Sequence, residues 1–329
     1  MEPYRFGIIG VVMGGPSAER EISLKSGQAV VRALDERGHR VVPLVLAPEE
    51  TTREAVAARV HEAKCEVIFN ALHGTFGEDG TIQQIAEALH LPYTGSGVEA
   101  SRLAFDKWAM REHLTAVGLQ LPPAVRLLRD EAELVKQQTA YFHHECWPFP
   151  LIVKPVHQGS SKGVSLVTTP QALTPAIQEA LQFDDALLLE RHIAGREVTV
   201  AIFDEQALPV IEIRPRAAFF DFHSKYHAGA TEYLVPAPLD ETTTLRLQQA
   251  ALATHRALGC RHFSRVDLIL DPAQVPYVLE LNSVPGLTAT SLVPMAAHAC
   301  GCSFPELCEH MVAMALESAP LAVASDRTR

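Results

Sequence analysis

Three oxygen-bearing side chains near the end of the chain have the types and spacing of a cation site. Asp267 lies within the apolar run 263–270, and Glu280 and Asn282 lie within the next run, 277–282. Both runs are rich in β-branched residues and are separated by a short Asp-Pro turn, which predicts two buried, neighbouring strands. An ionised carboxylate inside such strands is unfavourable unless a partner compensates its charge. Mg²⁺ suits this set because it takes few protein oxygens and completes its coordination with water and phosphate.

A purely structural interpretation of the same residues stays open at this point. It pairs Asp267 with Arg265, two residues earlier on the same strand, and makes Glu280 the cap of a loop. For any single residue this interpretation is as good as a cation site, but it must hold for all of them at once. We therefore predict Asp267, Glu280 and Asn282 as ligands of Mg²⁺, with Mn²⁺ as an alternative ion.

A glycine-serine loop and two lysines are candidates for binding phosphate. The loop 159–163 lies between two short predicted strands, where backbone N–H groups can point at an anion, although such loops are also common linkers. Lys154 ends the apolar strand before the loop, where a lone buried ammonium group is unfavourable without an anion. Lys107, on a predicted helix, is a second candidate cation, and its alternative is a solvated helix lysine.

The segment 186–197 is a candidate site for a nucleotide base. An apolar strand ends just after Glu190, and Glu197 opens the next strand. Backbone groups in such a segment can pair with an adenine edge while a nearby carboxylate binds ribose hydroxyls. This assignment of Glu190, Ile193 and Glu197 is a hypothesis that depends on the fold.

The elements that must position these residues are those of an α/β (α+β) protein. Strand and helix patterns alternate over the first third of the chain, which predicts a parallel sheet flanked by helices. The predicted elements there are strands 6–12, 41–46 and 66–71 and helices 24–37 and 54–63. Ser23 is the predicted N-cap of the first helix, and Gly38 is predicted to take a left-handed conformation after its end.

Three domains are predicted for a chain of 329 residues, which exceeds the usual size of a single core. We place an N-terminal α/β domain at 1–105, a central domain at 106–193 and a C-terminal domain at 194–329. The stretch 214–236 is aromatic, contains glycine and is weakly periodic. It is predicted to be a lid, because long loops within compact domains usually serve binding sites.

Composition narrows the functional class. Hydrophobic residues make up 47% and charged residues 20% of the chain, as in ordinary soluble globular proteins. The net charge of −11 argues against general affinity for nucleic acids or anionic membranes. No secretory signal, long apolar run or Cys-x-x-Cys pair is visible, and the six cysteines suit a reducing cytoplasm, the predicted location.

Taken in chain order, eight segments resemble the D-alanine–D-alanine ligases, a family of ATP-grasp enzymes. These segments are 14–23, 72–80, 92–97, 153–155, 159–161, 225–226, 265–267 and 280–286. The resemblance implies a three-domain ATP-grasp architecture that begins with the parallel-sheet domain. It also implies ATP-dependent joining of two D-alanine molecules through a D-alanyl phosphate, for peptidoglycan precursor synthesis. A homodimer is implied in the same way.

The resemblance implies a role for each matching residue in the chemistry. Lys107 and Lys154 match phosphate-binding lysines, and the three oxygen donors match the ligands of two Mg²⁺ ions. Arg265 and the amide of Gly286 match the groups that face the developing oxyanion.

The other matches concern the substrates. The residues that match the site of the first D-alanine and its hydrogen-bond network are Glu19, His73, Ser160 and Tyr226. Ser291 and Leu292 match the site of the second D-alanine. The matches for ATP include Gly159, Ser160, Ser161 and the lid lysine Lys225. Gln158 departs from the family pattern, since many relatives have glutamate there.

Two other functions remain as alternatives. One is a ligase of the same fold that makes a depsipeptide or another dipeptide; Tyr226 favours the D-alanine dipeptide over these products. The other is a nucleotide-binding protein without catalysis, which the intact catalytic positions argue against.

Overall fold

The computed structural model describes residues 6–137, 149–160, 162–215 and 231–318, and within these ranges the strands form three sheets. The first sheet is parallel, with β1 (Ile9–Gly14) between β2 (Val41–Leu46) and β3 (Val67–Asn70). Helices α1 (Arg20–Glu36) and α2 (Arg53–Ala63) connect the strands. This confirms the predicted parallel α/β arrangement of the first third of the chain.

Helix α1 begins four residues earlier than predicted, and Ser23 is therefore not its N-cap. The Ser23 hydroxyl accepts a hydrogen bond from the Gly14 N–H and donates one to the Ala71 carbonyl, both at 2.8 Å. The N-cap prediction was wrong because this serine serves a tertiary contact between strand ends rather than a helix end. Gly38 has φ +81°, as predicted for the residue beyond the helix.

Three short helices lead from the first sheet to the second: α3 (Thr81–Ala88), α4 (Val98–Phe105) and α5 (Lys107–Ala116). Asp106 caps α5, because its carboxylate accepts hydrogen bonds from the N–H groups of Trp108 and Ala109. This cap places Lys107 in the first turn of the helix, with its side chain turned to the cavity described below.

The second sheet is antiparallel, in the order β4 (Ala124–Leu128), β7 (Ala186–Arg191), β5 (Leu151–Pro155), β6 (Ser165–Val167). Helices α6 (Arg129–Gln137) and α7 (Leu173–Ala180) accompany it, and a 3-10 turn at Pro170–Ala172 precedes α7. The sequence pattern predicts a helix over 170–183, and the α-helix in the structure is shorter than this at both ends. Strand β5 is buried throughout, which places Lys154 inside the protein.

The third sheet has the order β11 (Thr231–Leu234), β10 (Ile211–Pro215), β8 (Arg196–Phe203), β12 (Phe263–Leu270), β13 (Pro276–Asn282), and β9 (Gln206–Ala207) pairs with β8. Both strands of the predicted cation site are present and antiparallel, with Asp267 opposite Glu280. Helices α8 (Glu241–Ala257), α9 (Leu292–Ala299) and α10 (Phe304–Glu317) complete the described fold.

The last helices return to the first sheet. Met311 and Val312 of α10 share a buried core with Met13 and Phe69, and Leu287 belongs to the same core. This packing brings the loop after β13 beside the N-terminal residues of the site. The described helices include none that combines the length and the apolar character needed to cross a membrane. The domain boundaries at 105/106 and 193/194 stay predictions.

Candidate active site

One cavity of about 830 Å³ brings together residues that are far apart in the chain. The predicted site residues that line it are Glu19, His73, Lys107, Gly159, Ser160, Arg265, Asp267, Glu280, Asn282, Gly286, Ser291 and Leu292. These residues come from the start of α1, the loop after β3, the start of α5, the glycine-serine loop, strands β12 and β13, and the segment between β13 and the start of α9. The cavity therefore unites most of the predicted site, while the role of each residue stays a prediction.

The oxygen donors share one face of the β12–β13 pair. Asp267 lies opposite Glu280, and Arg265 lies opposite Asn282, two residues along each strand. Because side chains alternate across a sheet, these four residues point to the same side. Val266 points to the other side, into the core. Local strand geometry thus explains why the donors converge.

Asp267 is already compensated by protein groups. Its Oδ1 and Oδ2 atoms accept hydrogen bonds from Nε and Nη2 of Arg265 at 2.8 and 2.7 Å, and the Thr199 hydroxyl donates to Oδ1 at 2.6 Å. The pairing with Arg265 that the sequence left open is therefore present. Glu280 lies within a strand rather than in a loop cap, with Oε2 3.7 Å from Nζ of Lys107.

The chemistry of the donor set fits a hard divalent cation. Two carboxylates and the amide oxygen of Asn282 face one space, and each carboxylate oxygen keeps lone pairs beyond those used in hydrogen bonds. In the described part of the chain, no three His, Cys, Asp or Glu side chains form a metal-binding group. The set consequently depends on Asn282 for a third protein oxygen.

A buried carboxylate, Glu19, lies at the start of α1. Ser160 donates a hydrogen bond to its Oε1 atom, and Lys162 donates to the neighbouring carbonyl of Ala18 at 2.7 Å. The pKa of Glu19 is raised above its ordinary value, first because burial disfavours the ionised form and second because the carboxylate of Glu78 is nearby. An ammonium group that entered this space would relieve both effects.

The glycine-serine loop packs directly against this carboxylate. A Cβ atom on Gly159 would lie 2.7 Å from Oε2 of Glu19, so a larger residue here would force this carboxylate to shift. The next residue, Ser160, has a left-handed backbone with φ +51°, which is uncommon for a residue with a side chain. The loop is therefore held in an unfavourable conformation that brings the Ser160 hydroxyl to Glu19.

His73 is held between two side chains that the sequence reasoning missed. Its Nδ1 atom lies 3.4 Å from Oε1 of Glu78, and its Nε2 atom lies 3.0 Å from Oγ of Ser26. A signal existed for both. Glu78 belongs to the His-Gly-x-x-Gly-Glu-Asp-Gly segment, and Ser26 follows Glu19 by seven residues, which is two helical turns and the same helix face.

Lys154 is not a lone buried ammonium group, and that premise of the sequence argument was wrong. Its Nζ atom lies 3.0 Å from Oε1 of Glu190, whose Oε2 atom accepts a hydrogen bond from Nη1 of Arg111 at 2.7 Å. All three side chains are buried, and Arg111 also donates to the carbonyl of Pro122. Two cations share one carboxylate, so the cluster keeps one positive charge in excess.

The remaining nucleotide-site predictions lie apart from the cavity lining. Lys154, Glu190, Ile193 and Glu197 do not line it. Glu197 lies on β8 within the third sheet, opposite Ile213 of β10 and Ile269 of β12.

Part of the predicted site lies outside the described residues: Ser161, Lys225 and Tyr226. Paired strands form the two described ends of the predicted lid 214–236, with Pro215 opposite Thr231, and its role as a lid stays a prediction. Tyr233 on β11 lines the cavity.

Gln158, the departure from the family pattern, makes two hydrogen bonds. Its side-chain amide donates to the carbonyl of Phe183 at 3.2 Å, and its backbone carbonyl accepts from Nζ of Lys107.

Comparison with protein-family models gives matches along almost the whole chain. The model described as the D-ala D-ala ligase C-terminus matches residues 114–313. The model described as the D-ala D-ala ligase N-terminus matches residues 8–57 and 47–96.

Curated proteins and solved structures agree with these matches. A D-alanine–D-alanine ligase of Syntrophotalea carbinolica is 43% identical over 305 residues, which cover 93% of this chain and 95% of that protein. One of Desulforudis audaxviator is 43% identical over 313 residues, which cover 94% and 98%. The crystal structure of the Bacillus anthracis D-alanine–D-alanine ligase complexed with ATP has a TM-score of 0.79 at 31% identity and covers 94% of this chain and 97% of that one.

Proposed function

This chain belongs to the D-alanine–D-alanine ligase family of ATP-grasp enzymes, and we propose that it joins two D-alanine molecules to D-alanyl-D-alanine with ATP, for peptidoglycan precursors. The observation that carries the proposal is a single cavity with a buried carboxylate, Glu19, and the cation-binding set of β12 and β13. An amino acid is a zwitterion, so it needs an acidic partner for its ammonium group and a cationic partner for its carboxylate.

The first half-reaction transfers a phosphoryl group. We assign the ammonium group of the first D-alanine to Glu19, and we place His73 near that substrate. Its carboxylate oxygen bonds to the γ-phosphorus of ATP while the bond between that phosphorus and the β,γ-bridging oxygen breaks. ADP leaves, and the product is D-alanyl phosphate. Ser160 supports this step by orienting the Glu19 carboxylate through its hydrogen bond.

The second half-reaction forms the peptide bond. We assign the carboxylate of the second D-alanine to Ser291 and Leu292, at the start of α9. Its deprotonated amine attacks the acyl carbon, a tetrahedral intermediate forms, and the carbon–oxygen bond to phosphate breaks while the nitrogen loses a proton. Arg265 and the Gly286 amide are the groups proposed to stabilise the oxyanion. Arg265 lines the cavity beside Asp267, which supports this role.

ATP is proposed to bind between the second and third sheets. Lys107 and Lys154 are the proposed phosphate cations, together with the loop residues Gly159, Ser160 and Ser161. Glu190, Ile193 and Glu197 are assigned to the base and ribose, and Lys225 and Tyr226 to the lid. The buried excess positive charge around Glu190 supports a nearby anionic ligand, since an uncompensated buried charge is unfavourable.

Asp267, Glu280 and Asn282 are proposed to hold two Mg²⁺ ions, for which Mn²⁺ is an alternative. Such ions, when bound, offset the negative charge of the phosphate oxygens. A cytoplasmic location is proposed because ATP is the substrate. A homodimer is proposed from family membership.

Phosphate release tests the function directly. Purified protein with ATP and Mg²⁺ is incubated with D-alanine, with L-alanine, and with D-alanine plus D-lactate near neutral pH, and products are identified by mass. We expect phosphate release and the dipeptide with D-alanine alone, and neither with L-alanine. A depsipeptide as the main product would favour the alternative ligase. Absence of release with every substrate would contradict the proposal, and Asp267→Asn serves as the inactive control.

A further inference from the structure

We propose that Ser26 is a positioning residue, whose hydroxyl selects one tautomer of His73 and ties this ring to the loop that carries Gly286. The inference rests on the proposed function, because it adds a residue to the same site. Ser26 lines the cavity and is fully buried on α1. It belongs neither to the phosphate-binding loop nor to the oxygen donors.

The direction of each hydrogen bond follows from the groups involved. Oγ of Ser26 lies 3.3 Å from the backbone nitrogen of Leu287, which can only donate. The hydroxyl therefore accepts from Leu287, and its one hydrogen is free to be donated to Nε2 of His73, 3.0 Å away. In a neutral ring, this donation requires Nε2 to be the unprotonated nitrogen.

The other side of the ring requires the same tautomer. Nδ1 of His73 faces Oε1 of Glu78 at 3.4 Å, and an ionised carboxylate only accepts hydrogen bonds. The proton of the ring consequently lies on Nδ1. The contacts with Glu78 and with Ser26 thus fit the same tautomer, as expected for a ring whose partners determine its protonated nitrogen.

This chain of hydrogen bonds links two parts of the proposed reaction. His73 lies in the loop after β3, at the proposed subsite of the first D-alanine, whereas Leu287 follows Gly286, the proposed oxyanion donor. Ser26 and Leu287 are 261 positions apart in sequence. The Ser26 hydroxyl therefore holds the substrate side and the oxyanion side of the cavity in a defined relation, which catalysis requires to within a fraction of an ångström.

Ser23 is a matched control on the same helix. It is also fully buried, one turn earlier, and its hydroxyl also makes two hydrogen bonds, to Gly14 and Ala71. Ser23 does not line the cavity. Ser23→Ala and Ser26→Ala thus make the same chemical change, and each removes two buried hydrogen bonds from α1.

Kinetics of the two variants test the positioning role. At a temperature where both are folded, we expect Ser26→Ala to lower kcat/KM for D-alanine by about 10- to 100-fold, the range of one or two lost buried hydrogen bonds. The KM for ATP should change less than about twofold. Ser23→Ala should change neither constant by more than about twofold. Equal losses in both variants would overturn the inference.

The tautomer is tested without any turnover. Long-range ¹H–¹⁵N correlation spectra of the full-length protein report which nitrogen of His73 is protonated, with His73→Gln used to assign its signals. We expect the proton on Nδ1 in the wild type and in Ser23→Ala, and a shift towards a tautomer mixture in Ser26→Ala. A wild-type ring protonated on Nε2, or on both nitrogens, would overturn the inference. Correct tautomers in a wild-type protein without ligase activity would instead overturn the proposed function.

Discussion

Two buried charged clusters of this protein differ in the sign of the charge that they leave uncompensated. Around Glu19, the carboxylate of Glu78 is close enough to raise the pKa of Glu19 further, and the half-buried Lys162 donates a hydrogen bond to the neighbouring carbonyl of Ala18. Around Glu190, the opposite holds, since Lys154 and Arg111 share one carboxylate. The first cluster thus has an excess of negative charge and the second an excess of positive charge.

The difference between them shows how two buried regions of one protein can favour ligands of opposite charge. Buried charge is unfavourable until a partner arrives, so each excess favours a ligand of the other sign. The raised pKa of Glu19, caused by burial first and by Glu78 second, is the electrostatic signature of the acidic cluster. An ammonium group suits the first cluster, and a polyphosphate suits the second.

Removing the excess positive charge should have the largest effect. Lys154→Met leaves Glu190 and Arg111 as a neutral pair, and we expect kcat/KM for ATP to fall about 100-fold, as when one preorganised charged donor is lost. The affinity for the first D-alanine should stay within a few-fold, as measured by initial rates at varied substrate. The matched control is Arg129→Met, which removes an exposed ion pair with Asp185. A similar loss in both variants would contradict the comparison.

A change in the acidic cluster around Glu19 should instead weaken the binding of the first D-alanine. Glu19→Gln keeps the shape and the hydrogen-bond acceptor but removes the charge, so we expect the KM of the first D-alanine to rise about tenfold or more. The KM of ATP should be nearly unchanged. Glu99→Gln, at an exposed carboxylate of α4, is the control. A variant in which ATP binding weakens as much as D-alanine binding would show that the two clusters are not independent.

Two variants, one of which restores the lost positive charge, test whether Arg111 acts through its charge. Arg111→Met should weaken ATP binding by about tenfold and lower the free energy of unfolding by about 3 kcal/mol, because Glu190 loses one of its two buried partners. Adding Glu190→Gln restores one positive charge at Lys154, so the part of the ATP affinity that depends on this charge should return, whereas the part that depends on the proposed contacts of Glu190 with base and ribose should not. Calorimetric titration with ATP measures this. Recovery would be absent if Arg111 acted only through its bond to Pro122.

The smallest expected effect concerns stability against pH. Since the folded state raises the pKa of Glu19 above 4.5, the protonated form contributes stability below that pH, and this contribution is lost as the pH rises through the raised value. Glu19→Gln without ligands should therefore be more stable than the wild type at pH 8, by about 1 kcal/mol. The difference should shrink towards pH 4.5 in urea unfolding. A less stable variant at pH 8 would contradict the unfavourable burial of this charge.

Local patterns predicted the elements well and their tertiary uses poorly. The strands of the cation site were predicted to within about one residue, because alternation and β-branched composition are local properties. Ser23 was misplaced as a cap, since capping preference cannot reveal that a hydroxyl bonds to strands on either side of it. Lys154 was predicted to be buried, as it is, but its partner Glu190 lies 36 residues away in the chain and was not predicted.

The sequence by itself determined the order of strands and helices, the carboxylates and lysines available for chemistry, and, through its motifs, the family. Only the tertiary structure decided which distant groups meet: Lys154 and Arg111 with Glu190, and Ser26 with both His73 and Leu287. The physical reason is the distance along the chain over which each effect acts. Periodicity and turn propensity act over a few residues, whereas the sign of a cluster and the tautomer of a ring depend on groups that only folding brings within hydrogen-bond distance.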